Sequence, residues 1–124
     1  MKKSLLIIAH DRQLLILFNQ AAPNLGFELH STRKYEEALR MLGEVSSPDA
    51  VLLDADTLRA ELPKSISEIK SLSGNTLIVL LGALSAEELV DCVKMGADGF
   101  FEKPVHKAEQ VLRHIEHLLL QLSH

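Results

Sequence analysis

Pro48-Asp49-Ala50-Val51-Leu52-Leu53-Asp54 is the stretch of sequence that decides the fold. Pro48 and Asp49 are turn formers, and the apolar run at 50–53 has the length of a strand. A run with no polar residue predicts a central parallel strand that is buried on both faces. The run ends in the carboxylate of Asp54. Open α/β sheets place their binding and catalytic residues at this carboxyl end of the strands.

Short apolar runs alternate with amphipathic segments along the rest of the chain. This alternation predicts a single α/β domain over residues 1–124, with a doubly wound five-stranded parallel sheet in the order 2-1-3-4-5. Helices are expected on both faces of that sheet, and no internal repeat, linker or low-complexity segment interrupts it. The predicted strands lie at 5–9, 27–31, 50–53, 77–81 and 99–102.

Several residue types indicate where the helices begin or break. Asp11 is expected to cap the first helix, and Pro23 is expected to loosen its last turn. Pro63 is predicted as the first residue of its helix, after irregular chain over 57–63. Ser85-Ala86-Glu87-Glu88 has the pattern of a capping box.

The composition narrows the class of protein. Hydrophobic residues make up 47% and aromatic residues only 4%, so we expect an aliphatic core. The net charge of -4 argues against a nucleic-acid surface, which normally carries a basic patch. Cys92 is the single cysteine, which fits a reducing, cytoplasmic environment. No apolar run is long enough to cross a membrane, and the Leu-rich start is predicted to be a first strand.

Four strand ends converge in this topology, and their polar residues are expected to line one crevice. A carboxylate beside a lysine is a plausible phosphoryl acceptor, because the carboxylate attacks and the ammonium pairs with the new negative charge. Lys103-Pro104 is a candidate cis peptide, since X-Pro bonds adopt that form most readily. The expected crevice residues are His10, Asp11, Asp54, Asp56, Leu81, Gly82 and Lys103.

Two stretches together resemble the receiver domain of bacterial two-component response regulators, a flavodoxin-like fold. One is the stretch ending in Asp54, and the other is Gly96-Ala97-Asp98-Gly99-Phe100-Phe101-Glu102-Lys103-Pro104. The resemblance covers essentially the whole chain. It implies that Asp54 is the phosphoacceptor position and that Lys103 is the lysine typical of the family.

The same resemblance assigns switch positions. Phe100 takes the family's aromatic switch position. Leu81 takes the position of the strand-four Thr or Ser, and a slip of one residue gives Gly82 instead. Neither Leu81 nor Gly82 has a hydroxyl to bond a phosphoryl oxygen.

The acidic pair that holds Mg²⁺ in this family is replaced here by Ala9 and His10. Asp56 takes the position whose backbone carbonyl helps hold the metal. Mg²⁺ requires hard oxygen ligands in octahedral geometry, and imidazole is a poor substitute. The remaining candidate Mg²⁺ ligands are therefore Asp11, Asp54 and Asp56, an incomplete set.

Two functions follow from these departures, and both make the domain a signalling module and not an enzyme. The first is an atypical receiver, with impaired Mg²⁺-dependent phosphorylation, that acts through protein contacts. The second is a competent receiver that takes a phosphoryl group on Asp54 from a sensor histidine kinase. A third alternative is a nucleotide or flavin binder, although the turn Ala9-His10-Asp11-Arg12 has no glycine to cradle a phosphate.

Other residues give weaker expectations. His10 is a candidate to form an ion pair with Asp54. His114 and His117 lie one helical turn apart, but without a third ligand they indicate a solvated helix face. The chain is consistent with a free-standing receiver and with one domain of a longer regulator or kinase. A homodimer or an output partner is expected at the face of the fourth helix, fifth strand and fifth helix, which includes Glu87, Asp91, Lys94, Phe100, Lys107 and Gln110.

Overall fold

The protein is represented by a computed structural model that describes residues 2–44 and 47–122. Five β-strands and six α-helices lie within these two ranges, and none of the helices there is long and apolar enough to cross a membrane. In chain order they are β1 (Lys3–Ile8), α1 (Arg12–Ala21), β2 (Phe27–Thr32), α2 (Tyr35–Gly43), β3 (Ala50–Asp54), α3 (Ala55–Leu58), α4 (Leu62–Leu72), β4 (Leu77–Gly82), α5 (Ala86–Met95), β5 (Gly99–Glu102) and α6 (Ala108–Leu122).

All five strands form one parallel sheet in the order β2-β1-β3-β4-β5, which confirms the predicted topology. The register pairs Ile8 with Leu53 and Asp54 with Leu81. The carboxyl ends of β1, β3 and β4 therefore lie side by side, and the residues that follow them share one edge of the sheet.

Two apolar layers enclose the sheet, one on each face. Phe18 of α1 and Leu112 of α6 pack on one face. Ala38 of α2, Ile66 of α4 and Cys92 of α5 pack on the other. All five residues of β3 are buried, as expected for a central parallel strand with helices on both sides. Burial raises the pKa of the Cys92 thiol, so this cysteine is an unreactive part of the core.

The helix-capping predictions are largely confirmed. Asp11 Oδ1 accepts hydrogen bonds from the backbone N–H groups of Gln13 and Leu14 at 3.0 and 3.3 Å. The predicted capping box between Ser85 and Glu88 is complete in both directions. Each cap satisfies backbone donors that the first turn of a helix leaves free.

Two predictions about proline differ in outcome. Pro23 follows the end of α1 and starts a 3-10 turn that closes at Gly26, where φ is 77°. The loosened turn is therefore confirmed. Pro63 is the second residue of α4 and not the first, because Leu62 is buried and begins the helix. Pro is tolerated there because first-turn N–H groups have no intrahelical acceptor.

The prediction of irregular chain over 57–63 is wrong. The Asp54 side chain accepts a hydrogen bond from the Asp56 backbone N–H and caps α3. A 3-10 turn over Arg59–Glu61 then joins α3 to α4. Arg59 has a φ of 42°, in the left-handed region that non-glycine residues rarely adopt.

Candidate functional site

Lys103 and Asp54 form the centre of the site. The Lys103 ammonium donates a 2.8 Å hydrogen bond to Asp54 Oδ1 and a 3.1 Å hydrogen bond to Asp56 Oδ2. Asp54 is 2% exposed at the end of β3, and Lys103 follows the end of β5. One cation therefore bridges two carboxylates, and the charge of the buried Asp54 is compensated directly.

The two carboxylates also set the protonation of Lys103. Burial alone lowers the pKa of its ammonium group. The hydrogen bonds and negative charges of Asp54 and Asp56 outweigh that effect and raise the pKa above its ordinary value. Lys103 is therefore a fixed positive charge at neutral pH, which suits a group that pairs with an anion.

The hydrogen bonds on Asp54 are unevenly distributed between its oxygens. Oδ1 accepts from both Lys103 and the backbone N–H of Asp56, the second at 3.1 Å. None of the described residues donates a hydrogen bond to Oδ2. Oδ2 is consequently the oxygen that is open to an electrophile, while Oδ1 holds the carboxylate in place.

Asp56 has one oxygen without a hydrogen bond. Its Oδ1 atom is buried, and no described donor approaches it with hydrogen-bond geometry. The Arg59 Nη2 atom does lie 3.2 Å from it, close enough for an ion pair. The contact between Arg59 and Asp56 is therefore an ion pair and not a hydrogen bond, because a hydrogen bond also requires a suitable angle.

The residues after β1 do not bring a carboxylate pair to the site. Ala9 is fully buried and contributes no ligand atom. The His10 side chain is exposed, and its backbone N–H donates to Thr57 Oγ1 at 3.2 Å. The predicted ion pair between His10 and Asp54 is wrong, because Lys103 takes that place at the buried carboxylate.

A shallow crevice of about 300 Å³ brings most of the predicted residues together. Thr57 is the lining residue that the sequence reasoning missed. Its position three residues after Asp54, on a short helix capped by that aspartate, is the signal that could have indicated it. The crevice is lined by His10, Asp11, Asp54, Asp56, Thr57 and Lys103.

The described side chains at this crevice do not form a metal-binding cluster. Over 2–44 and 47–122, no group of three or more His, Cys, Asp or Glu side chains could hold a metal ion. Asp11 is occupied as a helix cap, and Asp54 and Asp56 share the ammonium of Lys103. A role for Asp11, Asp54 and Asp56 as Mg²⁺ ligands stays a prediction.

Leu81 and Gly82 occupy different environments at the end of β4. Leu81 is fully buried in the layer that contains Phe18. A Cβ atom at Gly82 would lie 3.7 Å from Asp56 Oδ1 and only 2.9 Å from the Ala55 Cβ atom. Gly82, the alternative from a one-residue slip, is therefore the residue beside the crevice, and it has no hydroxyl.

The remaining predicted residues lie away from the crevice. Phe100 is partly exposed and packs against the layer that contains Cys92, and its switch role stays a prediction. His114 meets the Phe101 ring edge-on, with ring centroids 5.1 Å apart. His117 contacts Gln121 and is exposed, as expected for a solvated helix face.

Comparison with known proteins gives a consistent result. The family model for the response regulator receiver domain matches residues 5–116. The structure of a CheY-like receiver domain protein from Methanospirillum hungatei JF-1 superposes with a TM-score of 0.87 at 22% identity, over 98% of this chain and 96% of that chain. No curated protein matches the chain.

Two further structures share the fold. A response regulator from Burkholderia pseudomallei, with a phosphorylated aspartic acid, a calcium ion and citrate, has a TM-score of 0.81 at 20% identity, over 98% of this chain and 71% of that chain. NtrX from Brucella abortus, in complex with ADP, has a TM-score of 0.82 at 23% identity. The match covers 98% of this chain and 27% of NtrX.

Proposed function

Because this chain belongs to the response regulator receiver domain family of two-component signalling, we propose that it is an atypical receiver. It signals through protein contacts, and its Mg²⁺-dependent phosphorylation is impaired. The observation that carries this proposal is the shared use of Lys103 by Asp54 and Asp56, with no carboxylate from positions 9 and 10.

The charge balance of the crevice supports impairment. Phosphoryl transfer to a carboxylate brings two anionic groups together, and a metal ion normally neutralises the developing charge. Ala9 is buried and His10 has an imidazole, so neither side chain supplies an oxygen ligand, and Asp11 caps α1. These features support the proposal that the site binds a divalent cation poorly.

The end of β4 supports the same conclusion. A hydroxyl beside the acceptor can donate a hydrogen bond to a phosphoryl oxygen and so couple phosphorylation to movement of the strand end. Gly82 offers no such donor, and the Ala55 Cβ atom fills the space that a side chain at 82 would need. A phosphoryl group on Asp54 would consequently find no hydroxyl donor on β4, and its contacts would be limited to the other crevice residues, such as Thr57 and Lys103.

Incubation with acetyl phosphate and Mg²⁺, followed by intact mass measurement, tests the proposal. We expect no stable phosphoryl adduct on the native chain. Asp54→Asn is the site variant, and Asp49→Asn is the matched control because Asp49 precedes the same strand and is exposed. An adduct that Asp54→Asn loses and Asp49→Asn keeps would overturn the proposal.

A competent receiver is the second candidate, and the geometry of Asp54 and Lys103 favours it. In that case Asp54 Oδ2 attacks the phosphorus of a kinase phosphohistidine. The new O–P bond forms as the N–P bond breaks, and the leaving imidazole nitrogen takes up a proton. The Burkholderia pseudomallei relative, which has a phosphorylated aspartic acid, shows that this fold accommodates such a product.

A neighbouring groove would receive the kinase in that second case. It has a volume of about 630 Å³ and lies between α1 and the segment after β5. Leu14 and Leu17 give it an apolar wall, and Lys103 connects it to the crevice. A helix of the kinase that carries the phosphohistidine could pack there without moving the sheet.

The partner surface of the first candidate is the face of α5, β5 and α6. Val90 and Val93 of α5 are 52% and 57% exposed on the described chain and lie one helical turn apart, so they give this face a small apolar area. Lys94 and Lys107 flank this surface. It binds a second copy of the chain or an output protein in the cytoplasm, and the domain acts by binding and not by catalysis.

Sedimentation measurements test this surface. Charge reversal at both Lys94 and Lys107 is expected to weaken self-association or partner binding, because it changes the charge of the proposed surface from positive to negative. Charge reversal at Lys64, an exposed residue of α4, is the control. Unchanged association in the double variant would argue against this face.

A further inference from the structure

Arg59 combines two unusual features at the rim of the crevice. Its φ of 42° and ψ of -109° place a non-glycine residue in a sparsely populated backbone region. Such a conformation costs free energy and persists only where the surroundings impose it, so it is often found at functional sites. The 3-10 turn Arg59–Glu61 links α3 directly to α4, and this tight connection fixes the backbone of Arg59.

The strained backbone turns the guanidinium back toward the site. Nη2 lies 3.2 Å from Asp56 Oδ1, the buried oxygen that no described hydrogen-bond donor satisfies. Arg59 also lies near the start of α5. The pKa of Glu88 is lowered first by hydrogen bonds from Ser85, and to a smaller extent by the charge of Arg59.

The charges of the four ion-paired residues balance without an added ion, and Asp11 is a further carboxylate at the crevice. Asp54 and Asp56 contribute two negative charges. Lys103 contacts one oxygen of each carboxylate, and Arg59 contacts the second oxygen of Asp56. The Arg59 side chain is 63% exposed, so solvent weakens its field, but a divalent cation that entered the crevice beside Asp56 would still be repelled by the guanidinium.

We infer that Arg59 is the resident cation of this pocket: its guanidinium neutralises Asp56 at Oδ1, and so keeps divalent metal ions out of the crevice that Asp56 lines. This inference deepens the proposed function and rests on it. It gives a second reason for weak Mg²⁺ binding. The first is that Ala9 and His10 supply no carboxylate, and the second is the positive charge of Arg59.

A metal titration tests this role directly. The probes are Mg²⁺ and Mn²⁺, added to the ¹⁵N-labelled chain, and the readout is shift or paramagnetic broadening of the Ala55 and Asp56 amide resonances. The native chain is expected to show no saturable binding at about 10 mM, above the range in which weak carboxylate sites fill. Arg59→Gln is expected to bind Mn²⁺ at least about tenfold more tightly, because the repulsion is removed.

Matched variants separate the effect of the Arg59 charge from an effect on folding. Arg40→Gln removes one exposed arginine from α2, far from the crevice, and should behave as the native chain. Arg59→Lys keeps the charge and should still exclude the ions. The dispersion of the amide spectrum reports in each case whether the variant is folded.

Three results would overturn the inference. They are saturable metal binding by the native chain at these amides, no gain in Arg59→Gln, or equal binding in Arg59→Lys and Arg59→Gln. The acetyl phosphate experiment remains separate. A phosphoryl adduct on Asp54 that forms in the presence of a chelator would contradict the proposed function and leave the role of Arg59 intact. A metal titration that gives one of the three results above would contradict only the role of Arg59.

Discussion

Lys103 donates a 2.8 Å hydrogen bond to Asp54 although the two residues lie 49 positions apart in the chain. The contact exists because β3 and β5 are parallel strands of one sheet, on either side of β4, and both residues come at carboxyl ends. The pair ties the two strand ends together. It also gives the buried Asp54 the positive partner that a charge in this environment requires.

Removing that partner should destabilise the fold. Lys103→Met leaves Asp54 buried without its cation, so we expect the free energy of unfolding to fall by about 2 kcal/mol. Urea unfolding measures the change. Lys64→Met, which removes an exposed lysine of α4, should change stability by less than about 0.5 kcal/mol. Equal effects of the two substitutions would show that the ion pair contributes nothing specific.

The raised pKa of Lys103 predicts a dependence on alkaline pH. Burial opposes the shift, but the two carboxylates dominate, so the folded state holds its proton more tightly than the unfolded state. The resulting stabilisation is complete below the pKa of an unfolded lysine, about 10.4, and is lost as pH rises through the folded value. The stability difference between the native chain and Lys103→Met should therefore stay constant up to about pH 10 and shrink as the pH rises further.

Comparison of the two chains at each pH is essential to that measurement. Burial also raises the pKa of Tyr35, whose hydroxyl bonds the Ser65 carbonyl and Glu68, and the neutral form is favoured in the folded state. Its ionisation destabilises both chains in the same alkaline range. The difference between the chains removes this background, and a difference that stays constant to about pH 11 would contradict the role of Lys103.

Much of this architecture is encoded in local patterns. Apolar runs such as the one ending at Asp54 predict the strands, and Asp11 and Ser85 mark helix starts by chemistry that operates within one turn. The sheet order follows from general rules for parallel connections. These predictions succeed because each depends on neighbours in sequence or on a strong topological constraint.

The details of the site depend on longer-range packing and are less visible in the sequence. Asp54 caps α3, which turns a segment expected to be irregular into helix. The preference of Asp54 for Lys103 over His10 depends on which side chain the folded backbone brings within reach. Arg59 has no local signal at all, because a left-handed φ at arginine runs against its ordinary preference.

The contribution of Asp11 to helix capping can be measured separately from any contribution to metal binding. Asp11→Ala removes the acceptor for two backbone N–H groups of α1, so we expect a loss of about 1 kcal/mol in metal-free buffer. Asp11→Asn keeps a capping oxygen and should lose much less. Thermal unfolding with and without Mg²⁺ distinguishes the two roles, since a loss that appears only with Mg²⁺ would identify Asp11 as a ligand instead.

Gly82 should be sterically required at the end of β4. The Cβ atom of Gly82→Ala would lie 2.9 Å from the Ala55 Cβ atom, so one strand end must shift, at a cost of about 1–3 kcal/mol. Ala55→Gly in the same chain should recover part of this loss. Gly43→Ala is the control, because its Cβ atom would have no neighbour within 4 Å and should improve helix propensity at the end of α2. If urea unfolding gives the same stability for Gly82→Ala and the native chain, the end of β4 has room for a side chain. Steric crowding would then not explain why position 82 carries no hydroxyl.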